Sequence, residues 1–90
     1  MKIKNYMEDV VVHYLFNIIK DKDDICKCDK CLNDIAAIAL NNLTPHYVVS
    51  EKGELYSKVL NMSIQFEADV TTAILEAIDK VSKNPRHSKE

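Results

Sequence analysis

The stretch CKCDKCLNDIAAIALNNLTP, residues 26–45, decides the fold, because it joins a thiol cluster to a helix and then stops that helix. Cys26, Cys28 and Cys31 are the only cysteines of the chain and fall within six positions. Cys26 and Cys28 read as a tight turn, and Cys31 as the place where a helix begins. That helix is expected from Leu32 or Asn33 to Leu43, with Pro45 just past its end, where helices commonly stop. Its centre, IAAIAL at 35–40, is apolar in every direction. Periodicity therefore aims no single face at a core, and the helix is expected to be surrounded on all sides.

Working outward, the residues on the amino-terminal side also have helical spacing. Ile3, Met7, Val10, Val11, Tyr14, Leu15 and Ile18 share one face of a helix expected over Ile3–Lys20. Lys2, Asp9, His13, Asn17 and Lys20 share the other, with Phe16 out of place among them. DKDD at 21–24 is a charged connection. On the carboxyl-terminal side, TPHYVVSEKGE at 44–54 reads as an ordered connection, its Tyr47-Val48-Val49 extended but with no second strand to pair with. A third helix is expected from about Glu54 to Val81, roughly 40 Å long. It carries a continuous apolar face (Leu55, Val59, Phe66, Val70, Ile74, Ile78 among others) and a second, narrower stripe of Ile64, Ala68 and Leu75. Two apolar faces on one helix, an all-apolar neighbour and the stray Phe16 point to a helical homodimer with a shared core.

Composition agrees with an all-α fold: one small domain over residues 1–90, with three main helices and a metal-binding cysteine loop. The 90 residues are 47% hydrophobic and 29% charged, and a single glycine and two prolines leave few sites for hairpin turns. A chain this short buries a modest core and often needs a staple such as a metal or a partner subunit. The net charge of −2 lacks the basic excess of a nucleic-acid coat, so no direct DNA binding is expected. VVVHYLFNII at 10–19 is too short to span a bilayer and lacks a cleavage site, so the expected location is cytoplasmic, with no membrane association. Clustered thiols there point to metal or redox chemistry more than to disulfides.

Four uses of the cysteines compete. Zinc bound by three thiolates is the preferred one: the site would carry a charge of −1, offset by Lys27, Lys30 and the unpaired N–H groups at the helix start. An iron–sulfur cluster usually takes four thiolates, and the chain has three. Cys28 and Cys31 match a redox C-x-x-C at a helix start, but the alternating strands and helices of a thioredoxin-like fold are missing. The fourth use is none: three reduced thiols without a role. A zinc ion needs a further ligand, for which His87 is the first choice, with His46, His13, Asp24, Asp29, Asp34 or water as alternatives. Three thiolates make zinc a poor Lewis acid, and no general base stands at recognisable spacing, so no enzymatic activity is expected.

NYMEDVV at 5–11, CKCDKCLNDIAAIALNNLTPHYVVS at 26–50, GELYSK at 53–58 and NPRH at 84–87 together resemble the late-competence ComFB family. The resemblance covers nearly the whole chain in order. It implies a small helical dimer with a structural zinc on Cys26, Cys28 and Cys31, and a regulatory or adaptor role linked to late competence. Some members are regarded as receptors for cyclic dinucleotides (c-di-GMP or c-di-AMP), which makes such a receptor the alternative reading. A bisphosphate with two purines needs cations and aromatic platforms. Arg86 would meet a phosphate or a guanine edge, Tyr47 and Tyr56 would stack, and His46, Asn41 and Lys58 would be polar companions. Family members often have two prolines before the tyrosine, where this chain has Thr44-Pro45-His46-Tyr47.

Overall fold

The computed structural model describes residues 2–49 and 63–83. Among them, in chain order, are a short strand β1 (Lys4–Asn5), helix α1 (Tyr6–Ile19), helix α2 (Asp29–Asn41), a short strand β2 (Tyr47–Val48) and helix α3 (Ile64–Lys83). The described residues are mostly helical, as the composition predicts.

Helix α1 starts three residues later than its apolar spacing suggests, because Asn5 caps it. The Asn5 side-chain oxygen accepts a hydrogen bond from the Met7 backbone N–H at 3.1 Å, satisfying one of the donors that a helix start leaves open. Glu8 and Asp9 in the first turn complement the positive end of the helix. The same Asn5 oxygen accepts the His46 N–H at 2.8 Å, and the Tyr6 N–H donates to the His46 carbonyl at 2.7 Å.

These bonds correct the expectation that Tyr47-Val48 lacks a partner. β2 pairs antiparallel with β1, Lys4 opposite Val48 and Asn5 opposite Tyr47. The partner lay hidden in residues whose apolar spacing reads as the first turn of α1. Val48 is buried in the core and Tyr47 faces solvent, the alternation a strand imposes.

The core lies where the three helices meet, with the most extensive packing between α2 and α3. From α1 it takes Met7, Val10, Val11, Leu15 and Ile19; from α3 it takes Val70, Ala73, Ile74, Ala77, Ile78 and Val81. Both sets recur at the three- and four-residue intervals of one helical face. Ile35 and Ile74 are fully buried, each stabilising the fold by roughly 1.5–3 kcal/mol relative to exposure. Buried alanines at 39, 73 and 77 add little bulk, which allows close approach of α2 and α3.

Two further expectations are corrected. Helix α2 is not surrounded: Cys31, Ile35 and Ala39 are buried, Ala36, Ile38 and Leu40 are half-buried, and Ala37 is exposed. One face, spaced by four residues, suffices for the core. Helix α3 has its N-terminus at Ile64 instead of running unbroken from Glu54 through residue 63. The Ser63 hydroxyl accepts the Phe66 N–H at 3.0 Å and its carbonyl accepts the Glu67 N–H, a capping arrangement. The helix ends at Lys83, and the part of the expectation covering 54–62 lies outside the described residues. At 20 residues, α3 is about 30 Å long.

Candidate metal centre

Helix α2 also begins earlier than expected, at Asp29 instead of Leu32, and the cause is the site itself. Cys28 is the N-cap, with extended backbone at φ −70° and ψ 160°. Its sulfur accepts the Cys31 backbone N–H at 3.4 Å, the role that Ser, Thr, Asp or Asn usually plays. Cys31 is therefore the third residue of the helix, not the residue before it. Helical geometry fixes it one turn along from Cys28, and Asp29 supplies the acidic first turn.

The sulfurs of Cys26, Cys28 and Cys31 lie within 4.8 Å of one another. The ligand distance of a thiolate zinc site places sulfurs about 3.8 Å apart, so these three need only a small contraction to share one ion. No disulfide joins them. Cys26 is exposed, whereas Cys31 is 1% exposed and belongs to the core with Ile35. The site thus spans the boundary between the surface turn and the packed interior. A cavity of about 110 Å³ adjoins it, lined by Asp24, Ile25, Cys26, Cys31, Ile35, Val81 and Ser82. The last turn of α3 forms part of this wall, which no spacing near the cysteines reveals.

The thiols differ in character. Burial, then hydrogen bonding and charge from Cys26 and Cys28, pushes the Cys31 thiol up to about 12. The Cys31 N–H, followed by the Cys26 side chain, holds Cys28 below the usual thiol value. Burying a charged sulfur is costly unless a cation compensates it. A soft divalent ion at the centre of the three sulfurs would supply that compensation.

The other proposed ligands stand as follows. Among the described residues, the group that can hold an ion contains the three cysteines and no histidine or carboxylate. His13 lies on the exposed side of α1, its Nε2 3.2 Å from the Asn17 amide nitrogen and its ring edge-on to Tyr14. His46 is bound through its backbone to Asn5 and Tyr6. Asp24 borders the cavity without joining the sulfur group, and Asp29 and Asp34 do not join it either. One Asp34 oxygen is 3.6 Å from Lys30 Nζ, and the other is buried without a hydrogen-bond partner. His87 lies outside the described residues.

Of the six residues proposed for a cyclic dinucleotide, three are described. Asn41 is exposed in the last turn of α2, His46 is half-buried, and Tyr47 is 64% exposed. Tyr56, Lys58 and Arg86 lie outside the described residues. A groove of about 380 Å³ lies between the start of α1, the end of α2 and α3, and its described lining includes none of Asn41, His46 and Tyr47. Among the described residues it is lined by Asp69 and Glu76 beside Met7, Leu43, Phe66 and Val70.

Among the described residues, no helix is long and apolar enough to cross a membrane. The sequence reading missed Asn5, whose oxygen ties α1 to the His46 segment. A signal for it exists, since asparagine directly before an apolar helical period is an N-cap pattern.

Comparison with known proteins agrees with the sequence resemblance. The family model described as late competence development protein ComFB matches residues 4–85. The competence protein ComFB of Bacillus subtilis (strain 168) is 32% identical over 60 residues, which are 67% of this chain and 61% of that relative. The chain therefore spans less than two thirds of the relative's length in that match. A solved structure of the late competence protein ComFB from Bacillus subtilis superimposes with a TM-score of 0.80 at 26% identity, covering 98% of this chain and 99% of the other. With a family model that spans both the β1–α1 clamp and the cysteine-capped α2, the chain belongs to the ComFB family of late competence development proteins.

Proposed function

We propose that this chain is a non-enzymatic, zinc-stabilised homodimer of the cytoplasm, with a regulatory or adaptor role in the late-competence setting of its family. The observation that carries the proposal is the gathering of three sulfurs within 4.8 Å across the junction between a surface turn and the buried start of α2. The donor set favours zinc: thiolates are soft ligands, and clustered intracellular thiols at such spacing most often hold it in structural sites. Cys26, Cys28 and Cys31 would hold the ion, with the fourth position completed by His87 or water. Such an ion ties the connection after α1 to the first turn of α2 and adds folding free energy to a small core.

The dimer rests on a separate feature. On α3, Ile64, Ala68, Thr71 and Leu75 follow a spacing of four, three and four, a stripe about 17 Å long without a charge. Ile64 is 86% exposed and Leu75 43% exposed, and Phe16 of α1 is 56% exposed. Apolar side chains in such a row are suited to a second copy. Native mass spectrometry of freshly purified, untagged protein tests both parts. A dimer with one zinc per chain is expected, and a metal-free monomer would overturn the proposal.

A further inference from the structure

The cysteine cluster has an internal asymmetry that a static staple does not require. Cys28 sits at the surface as the N-cap of α2, its sulfur held toward Cys31 by the 3.4 Å bond from the Cys31 N–H. Cys31 is buried one helical turn away, and its sulfur lies within 4.8 Å of that of Cys28. An exposed thiol at a helix N-terminus, with a sheltered second thiol two residues beyond its neighbour, is a pair of an attacking and a resolving cysteine. Cys26, also within reach, lies in the turn before the helix, outside this C-x-x-C pair.

We propose that the cluster is a peroxide-responsive switch, in which oxidation joins Cys28 to Cys31 and withdraws two of the three sulfurs from the metal. The Cys28 sulfur attacks one oxygen of a hydroperoxide, and the O–O bond breaks. The departing alkoxide or hydroxide takes a proton from solvent, and Cys28 becomes a sulfenic acid. The Cys31 sulfur then attacks the Cys28 sulfur. The S–O bond breaks, and the departing hydroxide takes a second proton from solvent to leave as water. From the metal-bound state the net change is two thiolates, one hydroperoxide and two solvent protons converted to one disulfide, one alcohol (water, for hydrogen peroxide) and one water. Cys26 and the single fourth ligand are too few to retain the ion, so bond formation releases it and unties the connection before α2.

The release step rests on the proposed metal site, whereas the bond-forming step rests on the sulfur geometry alone. The test accordingly begins with the metal content of the untreated native protein. Hydrogen peroxide is then added in equimolar amount, and three quantities are followed: chain mass, disulfide position by peptide mapping, and freed zinc with a chromogenic indicator. A loss of about 2 Da per chain, a Cys28–Cys31 bond, one ion freed per bond formed, and full reversal by a thiol reductant are expected. C26S should still form the bond, and C28S and C31S should not. Retention of all three thiols with the ion in place would overturn the switch, as would a bond that includes Cys26. Protein that contains no metal before treatment contradicts the staple instead, and the mapped disulfide still judges the pair.

Discussion

Replacing Asn5 by alanine should destabilise the protein far more than its place near the chain start suggests. The Asn5 oxygen holds two backbone donors, the Met7 N–H at 3.1 Å and the His46 N–H at 2.8 Å. Loss of an N-cap costs about 1 kcal/mol, and loss of a second, partly buried hydrogen bond costs about 1 more. The sum, about 2 kcal/mol, is a large share of the roughly 5–15 kcal/mol that keeps a domain folded. For a domain of this size it corresponds to a fall in Tm of about 8–16 °C. Asn5→Asp keeps the acceptor and places negative charge at the start of α1, so its stability should stay within about 0.5 kcal/mol of the parent. Urea unfolding at one fixed protein and zinc concentration measures both variants, since metal and partner binding also shift apparent stability. Amide exchange should quicken at His46 in the alanine variant. A loss below about 0.5 kcal/mol in Asn5→Ala, or an equal loss in Asn5→Asp, would refute the clamp.

Three further outcomes are expected. Ile74→Ala, which empties a fully buried position on α3, should cost about 2–5 kcal/mol in the same unfolding assay. If the proposed dimer forms through the α3 stripe, Leu75→Glu should leave the far-ultraviolet circular dichroism unchanged but sediment as a monomer; a dimer that persists in the variant would contradict that interface. In metal-free protein, alkali should loosen the fold through Cys31. Its thiol is raised from the ordinary 9.0 to about 12, so between these values the folded chain holds a proton that the unfolded chain has lost. Its contribution is complete below about pH 9 and falls away as pH climbs toward 12. Cys31→Ala should show a shallower decline over that window.

The helices were legible because their apolar residues repeat at helical intervals: Val10, Val11 and Leu15 on α1, Val70, Ile74 and Ile78 on α3. The boundaries were less so, because polar side chains set them. Asn5, Cys28 and Ser63 each accept a backbone N–H at a helix start. A cysteine in that role carries no sequence signal distinct from a cysteine meant for a metal. The β1–β2 ladder escaped for another reason: each strand is two residues long, too short for alternation to show. The three cysteines were legible as a cluster from spacing alone. Their division into a buried and an exposed set was not, since it depends on α2 beginning at Asp29 and on Cys31 joining the core with Ile35 and Val81. The all-round apolarity of residues 35–40 misled, because alanine is tolerated at the surface of a helix as readily as in its core.

The most direct test of the metal staple is thermal unfolding, followed by circular dichroism, of native protein before and after zinc removal by a high-affinity chelator, with reductant present throughout. If the ion ties the turn at Cys26 and Cys28 to the buried Cys31, its removal should lower the helical signal and the Tm, and added zinc should restore both. Metal-free protein that keeps its full helical signal and its Tm would contradict the account.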